Sequence, residues 1–171
     1  ASGRPAVVIT TSGTAAANLF PAIAEAHHAG IPLILCTADR PPELRGCGAN
    51  QATDQVKLFG AFVHAFIDLP PPREADDPAL WLSAVDQAVA AALGGSRGPA
   101  HLNCMFREPL APVKQPYPHR RLLRALQGWP RSAWPWVRHT RPAPESIAGS
   151  LVSDELLAVL RRARAGIILA G

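Results

Sequence analysis

Methionine and tyrosine occur once each in this chain of 171 residues, and cysteine three times. Cys36, Cys47 and Cys104 are an odd number, and none form a C-x-x-C pair. That excludes a disulfide framework and points to a reducing compartment. Cys36 and Cys104 sit in apolar, strand-like runs where a buried free thiol is the ordinary reading. No run of about eighteen apolar residues and no signal peptide is present, so a soluble, cytoplasmic chain without a membrane span is expected. Only 18% of residues are charged and the formal net charge is +4. The arginines are spread from Arg4 to Arg164 without a dense run, which leaves a nucleic-acid footprint without support. There is no internal repeat and no initiator methionine. An apolar run begins almost at once, and the far end stops in the strand-like Gly166-Ile-Ile-Leu-Ala-Gly171, so the chain reads as a piece of a longer protein.

The rest is a globular composition, with 48% hydrophobic residues. A chain of this length buries about 70% of its unfolded surface. Residues 6–10 (Ala-Val-Val-Ile-Thr) are a short β-branched run that reads as a buried strand. Residues 14–29 have apolar positions near helical spacing, with cap hydroxyls on Thr11 and Ser12, a stop at Gly30, and a kink or break expected at Pro21. Residues 31–36 form the next strand. Residues 39–55 form a long polar loop, entering a helical turn near 54–59. A third strand is expected at 62–69, then a helix opened by Asp76-Asp77-Pro78 and ended at Gly94-Gly95, with Leu80, Val85, Val89 and Ala92 inward. A fourth strand covers 99–103. Strands alternating with helices imply an α/β fold, a parallel sheet with helices on both faces. From Glu108 to Ser150 the chain is rich in Pro, Arg and Trp and reads as a surface linker. An amphipathic helix to Arg164 and a strand at 166–170 then look like the start of a second α/β unit.

Chemistry concentrates after the second strand. Thr37-Ala-Asp-Arg-Pro-Pro-Glu-Leu, followed by Cys47-Gly-Ala-Asn-Gln, puts a cation, acids, an amide pair and a stiff Pro-Pro in one loop. Ligands of open α/β sheets dock outside the carboxyl ends of strands. Arg40 suits a carboxylate gripped through two parallel bonds; the alternative is a surface pair with Asp39 or Glu43 worth under about 1 kcal/mol. Asn50 and Gln51 add neighbouring amides. Thr11-Ser-Gly-Thr14 stands where a strand hands over to a helix. Gly13 there permits a close turn and N–H groups that meet a polar ligand, against the plainer reading of a helix cap. No Gly-Lys-Ser/Thr follows, so it is not a P-loop. His27-His28 fits a solvated pair at a helix end better than a shared metal. Trp129, Trp134 and Trp136, interleaved with prolines, fit packing better than base stacking.

Thr11-Ser-Gly-Thr-Ala-Ala-Ala-Asn18 resembles the pyrimidine-binding domain of thiamine diphosphate enzymes. The Thr37–Leu44 run with Cys47-Gly-Ala-Asn-Gln-Ala52 is similar to the 2-succinyl-5-enolpyruvyl-6-hydroxy-3-cyclohexene-1-carboxylate synthase family of menaquinone biosynthesis. His101-Leu-Asn-Cys-Met-Phe-Arg-Glu-Pro-Leu110 has a counterpart there too. The resemblance is strong to Leu110 and weak beyond. It implies that 1–107 is most of a pyrimidine-binding domain lacking its start, 108–150 the linker and 151–171 the beginning of a central α/β domain. It implies a parent enzyme that decarboxylates 2-oxoglutarate and adds the resulting carbanion to isochorismate, with thiamine diphosphate as electron sink. Arg40, Asn50 and Gln51 would then bind the second substrate, and Thr14 and Asn18 would lie near the pyrimidine edge. The activating glutamate and the Mg²⁺ motif would lie outside this segment, which alone would be inactive. The parent would be a homo-oligomer, a dimer or tetramer with shared sites. An acetolactate-synthase-like relative and a non-catalytic ligand-binding module are the alternatives.

Overall fold

The computed structural model describes residues 4–56, 58–73, 75–111, 124–139 and 161–162. Two units divide the chain, Ala1–Arg138 and His139–Gly171; the architecture below is that of the first. The linker's remaining residues and the expected helix and strand of 151–171 lie outside the described residues, apart from a helical Arg161-Arg162.

Four strands, β1 (Ala6–Thr10), β2 (Leu33–Asp39), β3 (Ala65–Leu69) and β4 (Pro99–Met105), form one sheet. All pairings are parallel, in the order β1-β2-β4-β3. The crossovers carry helices α1 (Thr14–Ala17), α2 (Phe20–His28) and α3 (Ala79–Leu93). The break expected at Pro21 separates α1 from α2. Proline occupies the first turn of α2, where its missing N–H costs no internal bond. β2 and β4 each run past their expected ends, to Asp39 and Met105, because the two strands pair with each other there. The helical turn expected at 54–59 comes later, as a 3₁₀ turn at Gly60–Phe62, since Gln55 and Phe59 are drawn into the interior.

Strand alternation sorts the core into two faces. On one, Ile34, Leu69, Ala100 and Leu102 pack against Ala84, Ala88 and Ala92 of α3. On the other, Leu35 packs with Ile23 of α2 and with Phe59. Full burial of Leu35 or Ile23 stabilises by roughly 1.5–3 kcal/mol each. The inward stripe of α3 meets expectation at its end, where Ala92 is buried and Val89 packs against the core, but Leu80 and Val85 are 45% and 44% exposed. Ala84 and Ala88 face the sheet in their place, where small side chains let the helix lie close. β1 is also no buried strand. It stands at the sheet edge, with Val7 and Ile9 60% and 78% exposed. Their register partners on β2 are Ile34 and Cys36, so they share the α3 face, but beyond the strands that α3 covers.

Two stretches of the linker are described. Leu126 is buried, and the Val137 N–H donates to Asp86 of α3 at 2.7 Å. Trp129 stacks edge-on to Trp136 and donates its indole N–H to the Trp134 carbonyl. No described helix is long and apolar enough to cross a membrane.

Candidate functional site

On the α2 side of β2 the sequence reads Leu33, Leu35, Thr37, Asp39: apolar for two positions, then polar at the carboxyl end. β4 places two polar residues on that face, His101 and Asn103, between Pro99 and Met105. All four polar side chains are buried, and buried polar groups must find partners. Thr37 Oγ1 donates to Asn103 Oδ1 at 3.0 Å and lies 2.7 Å from His101 Nε2. Gln55 Nε2 donates to Asn103 Oδ1, Ala38 O and, more weakly, Thr37 Oγ1. With the threonine proton committed to Asn103, His101 must be the donor in its own contact, which assigns the Nε2–H tautomer. Phe59 and Phe66 flank that ring at 4.7 and 5.2 Å. Burial pushes its pKa down to about 4, against weaker upward pulls from Asp68 and Asp39. His101 is a neutral part of the wall at pH 7.

Asn103 uses its whole capacity, because its Nδ2 also donates to Asp39 and to Asp68 at 2.8 Å each. Both carboxylates are held from the other side by Arg45, bidentate to Asp68 and bonded to Asp39 Oδ2. The Arg45 bonds hold the Asp68 carboxyl below the usual range, and they outweigh desolvation. The Arg45 guanidinium is itself held charged, chiefly by Asp68. Its Nε is buried without a partner.

The loop that follows β2 folds back over the end of β1. Arg40 donates from Nε and Nη2 to the Asn50 carbonyl at 3.0 and 2.8 Å. It therefore pairs with neither Asp39 nor Glu43; Asp39 caps the Arg40 N–H instead, and Glu43 forms an exposed fork with Arg107. Gln51 turns away from Arg40. Its amide donates to Thr11 Oγ1 and Ser12 O at 3.1 Å each, while its carbonyl accepts from Ser12 Oγ at 3.0 Å. The cap reading of Thr11 and Ser12 is thereby overturned: α1 has Gly13 at its N-cap and no side-chain cap bond. The hydroxyls are used across the chain because the loop comes within reach only in the fold. Gly13 has φ +76°, and a Cβ there would stand 2.9 Å from the Gln51 carbonyl oxygen, so glycine is required twice over.

The fold thus brings Arg40 and Asn50 together through the Asn50 backbone, and joins Gln51 to the β1–α1 turn. Thr14 and Asn18 are exposed on the α1 segment that leaves that turn. A hollow of about 400 Å³ lies inside the loop, lined by Arg45, Gly48, Ala52, Thr53, Gln55 and Val56. Among the described residues no group of three or more His, Cys, Asp or Glu could hold a metal ion. His27, whose ring meets those of His28 and His64 edge-on, belongs to no such group.

Residues 1–58 match the model of the family described as thiamine pyrophosphate enzyme, N-terminal TPP binding domain. Over its whole length the chain is 46% identical to a 2-succinyl-5-enolpyruvyl-6-hydroxy-3-cyclohexene-1-carboxylate synthase of Salinibacter ruber, of which it spans 28%. It is 48% identical, over 97% of its length, to a synthase of the same name from Halorhodospira halophila, of which it spans 30%. The chain belongs to this synthase family. Protein PHYLLO, chloroplastic, of Arabidopsis thaliana is 42% identical over 98% of the chain, which spans 10% of it. The chain therefore covers under a third of the relatives it matches.

Arg45, Gln55, Asp68 and the Thr37–Asn103 pair form a polar network to which the motif reading gives no role. For Thr37, Asp68 and Asn103 a signal is present as parity, polar residues on one alternate set of an otherwise apolar strand; Arg45 and Gln55 lie in the loop and carry no such signal.

Proposed function

We propose that the full-length protein carrying this chain is a thiamine diphosphate-dependent synthase. It decarboxylates 2-oxoglutarate and joins the resulting four-carbon unit to isochorismate, giving 2-succinyl-5-enolpyruvyl-6-hydroxy-3-cyclohexene-1-carboxylate for menaquinone biosynthesis. Kinship with the synthases supports the reaction. The observation that carries the site is the bonding of the Asp39–Gln55 loop onto the β1–α1 turn, through Ser12–Gln51 and Gly13–Gln55. It supports a reading in which the loop bearing Arg40, Asn50 and Gln51 works beside the turn that leads into the exposed Thr14 and Asn18.

In this reading Arg40, Asn50 and Gln51 receive isochorismate. Arg40 balances carboxylate charge, and Gln51, its Nε2 already engaged, offers Oε1 to a hydroxyl. The residues present suit an aminopyrimidine: a hydroxyl and an amide one helical turn apart, beside the close turn at Gly13. Thr14 and Asn18 would orient that ring. Thiamine diphosphate supplies the electron sink for decarboxylation when bound. The activating glutamate and the Mg²⁺ site belong to other parts of the protein, so residues 1–107 form one wall of a site that is inactive alone. Residues 108–150 act as the linker and 151–171 open the central domain. The parent works in the cytoplasm as a homo-oligomer.

The test is an assay of the full-length protein with both substrates, thiamine diphosphate and Mg²⁺, read by mass spectrometry. The succinylated cyclohexene carboxylate and released carbon dioxide are expected. Turnover of pyruvate without that product would replace this reading with an acetolactate-synthase-like one.

A further inference from the structure

The short end of β1 leaves a notch in the sheet, and a side chain fills it. β1 stops at Thr10 opposite Thr37, whereas β2 continues, pairing Ala38 and Asp39 with Cys104 and Met105 of β4. The Asp39 carbonyl accepts from Phe106 N–H on the β4 side. By strand alternation the Ala38 carbonyl faces the side where β1 has ended. Gln55 stands there as a surrogate peptide group. Its Nε2 donates to Ala38 O at 3.0 Å and to Asn103 Oδ1 at 2.8 Å. Its Oε1 accepts the Gly13 N–H at 2.8 Å. The residue is 1% exposed. The other ties between turn and loop run through the exposed Gln51, to Thr11 and, partly buried, to Ser12, and water reaches them more readily. Water has no such access to the Gln55 amide, so its loss leaves the Gly13 N–H and the Ala38 carbonyl unpaired.

We propose that Gln55 is a positioning residue: its buried amide latches the β1–α1 turn, with Thr14 and Asn18, to the loop bearing Arg40 and Gln51. The two halves of the rim then keep one geometry. What the rim binds rests on the functional reading above; the latch does not. Misplacement by about 1 Å is enough to lower turnover roughly a hundredfold in a site of this kind.

The test uses the full-length protein with Gln55→Leu, which keeps volume and removes both functions of the amide. Hydrogen exchange at the Gly13 amide should accelerate roughly ten- to a hundredfold, while β2 and β4 amides keep their protection. The KM for isochorismate and the half-saturating thiamine diphosphate concentration should each rise about tenfold in the folded fraction. Gln55→Glu supplies the second arm. The introduced carboxyl still accepts from Gly13, but only its protonated form can also donate to Asn103 or Ala38. Its defect should therefore be mild near pH 5.5 and deepen as pH rises. Unchanged Gly13 exchange in Gln55→Leu, or unchanged KM and cofactor dependence with only folded protein lost, overturns the proposal. So does a Gln55→Glu defect that is flat with pH, which remains measurable if Gln55→Leu does not fold. Faster Gly13 exchange in a protein whose wild type ignores both substrates upholds the latch and removes the functional reading instead.

Discussion

At its carboxyl end β2 buries a threonine and an aspartate, while on the neighbouring β1 a valine and an isoleucine stand mostly in solvent. Side-chain hydrophobicity alone would order them the other way. Thr37 and Asp39 are buried because Asn103, Gln55 and Arg45 arrive from other segments and satisfy them. Val7 and Ile9 are exposed because they lie on the edge strand, on the face that α3 covers further along. Burial here follows strand position first and residue type second.

Arg45→Met should have the largest effect. It leaves Asp39, whose side chain is 1% exposed, without its cation, and removing one partner of such a pair costs about 3 kcal/mol. The urea midpoint should drop accordingly. The acid response should change as well. The depressed Asp68 carboxyl stabilises the fold above the unfolded value near 4, and that stabilisation is lost as pH falls through its folded pKa. With Arg45 gone, this portion of the acid loss should shrink.

His101 gives the next effect. Its folded pKa is about 4 against an ordinary 6.5, so between those values the unfolded chain binds the extra proton. Stability should be complete above about pH 6.5 and fall towards pH 4, by on the order of 3 kcal/mol in all. Denaturant titrations of wild type and His101→Gln across that window should differ in slope. Gly13→Ala should cost about 2 kcal/mol, from the positive φ and the contact with the Gln51 carbonyl, again read from the urea midpoint. At the other end of the comparison, Ile9→Thr should change stability by less than about 0.5 kcal/mol. A loss of several kcal/mol there would mean that β1 is covered after all, and the contrast between the two strands would fail.

The fold class was readable because period and punctuation carry it: β-branched runs, Gly30 and Gly94 after helices, Pro21 in a first turn. The loop bearing Arg40, Asn50 and Gln51 was readable as chemistry because its polar residues cluster after a strand. Less readable was the first part of the inward stripe of α3. Leu80 and Val85 are the more hydrophobic choices, but Ala84 and Ala88 let the helix approach the sheet. The helix caps misled for a related reason. Ser12 has the right residue type for a cap, yet its hydroxyl is taken by Gln51, far along the chain.

The sequence by itself determined which stretches become strands and helices, where the chain turns, and that a cation and two amides share one loop. Those are local properties, set by side-chain period and backbone freedom. Only the tertiary structure decided that Arg40 grips the Asn50 carbonyl, that Gln55 closes the notch beside β1, and that Asn103 joins Asp39 to Asp68. Asn103 reaches both carboxylates because β4 inserts between β2 and β3, and Arg40 and Gln55 find their partners because the loop after β2 folds back over the end of β1. No local pattern encodes that insertion.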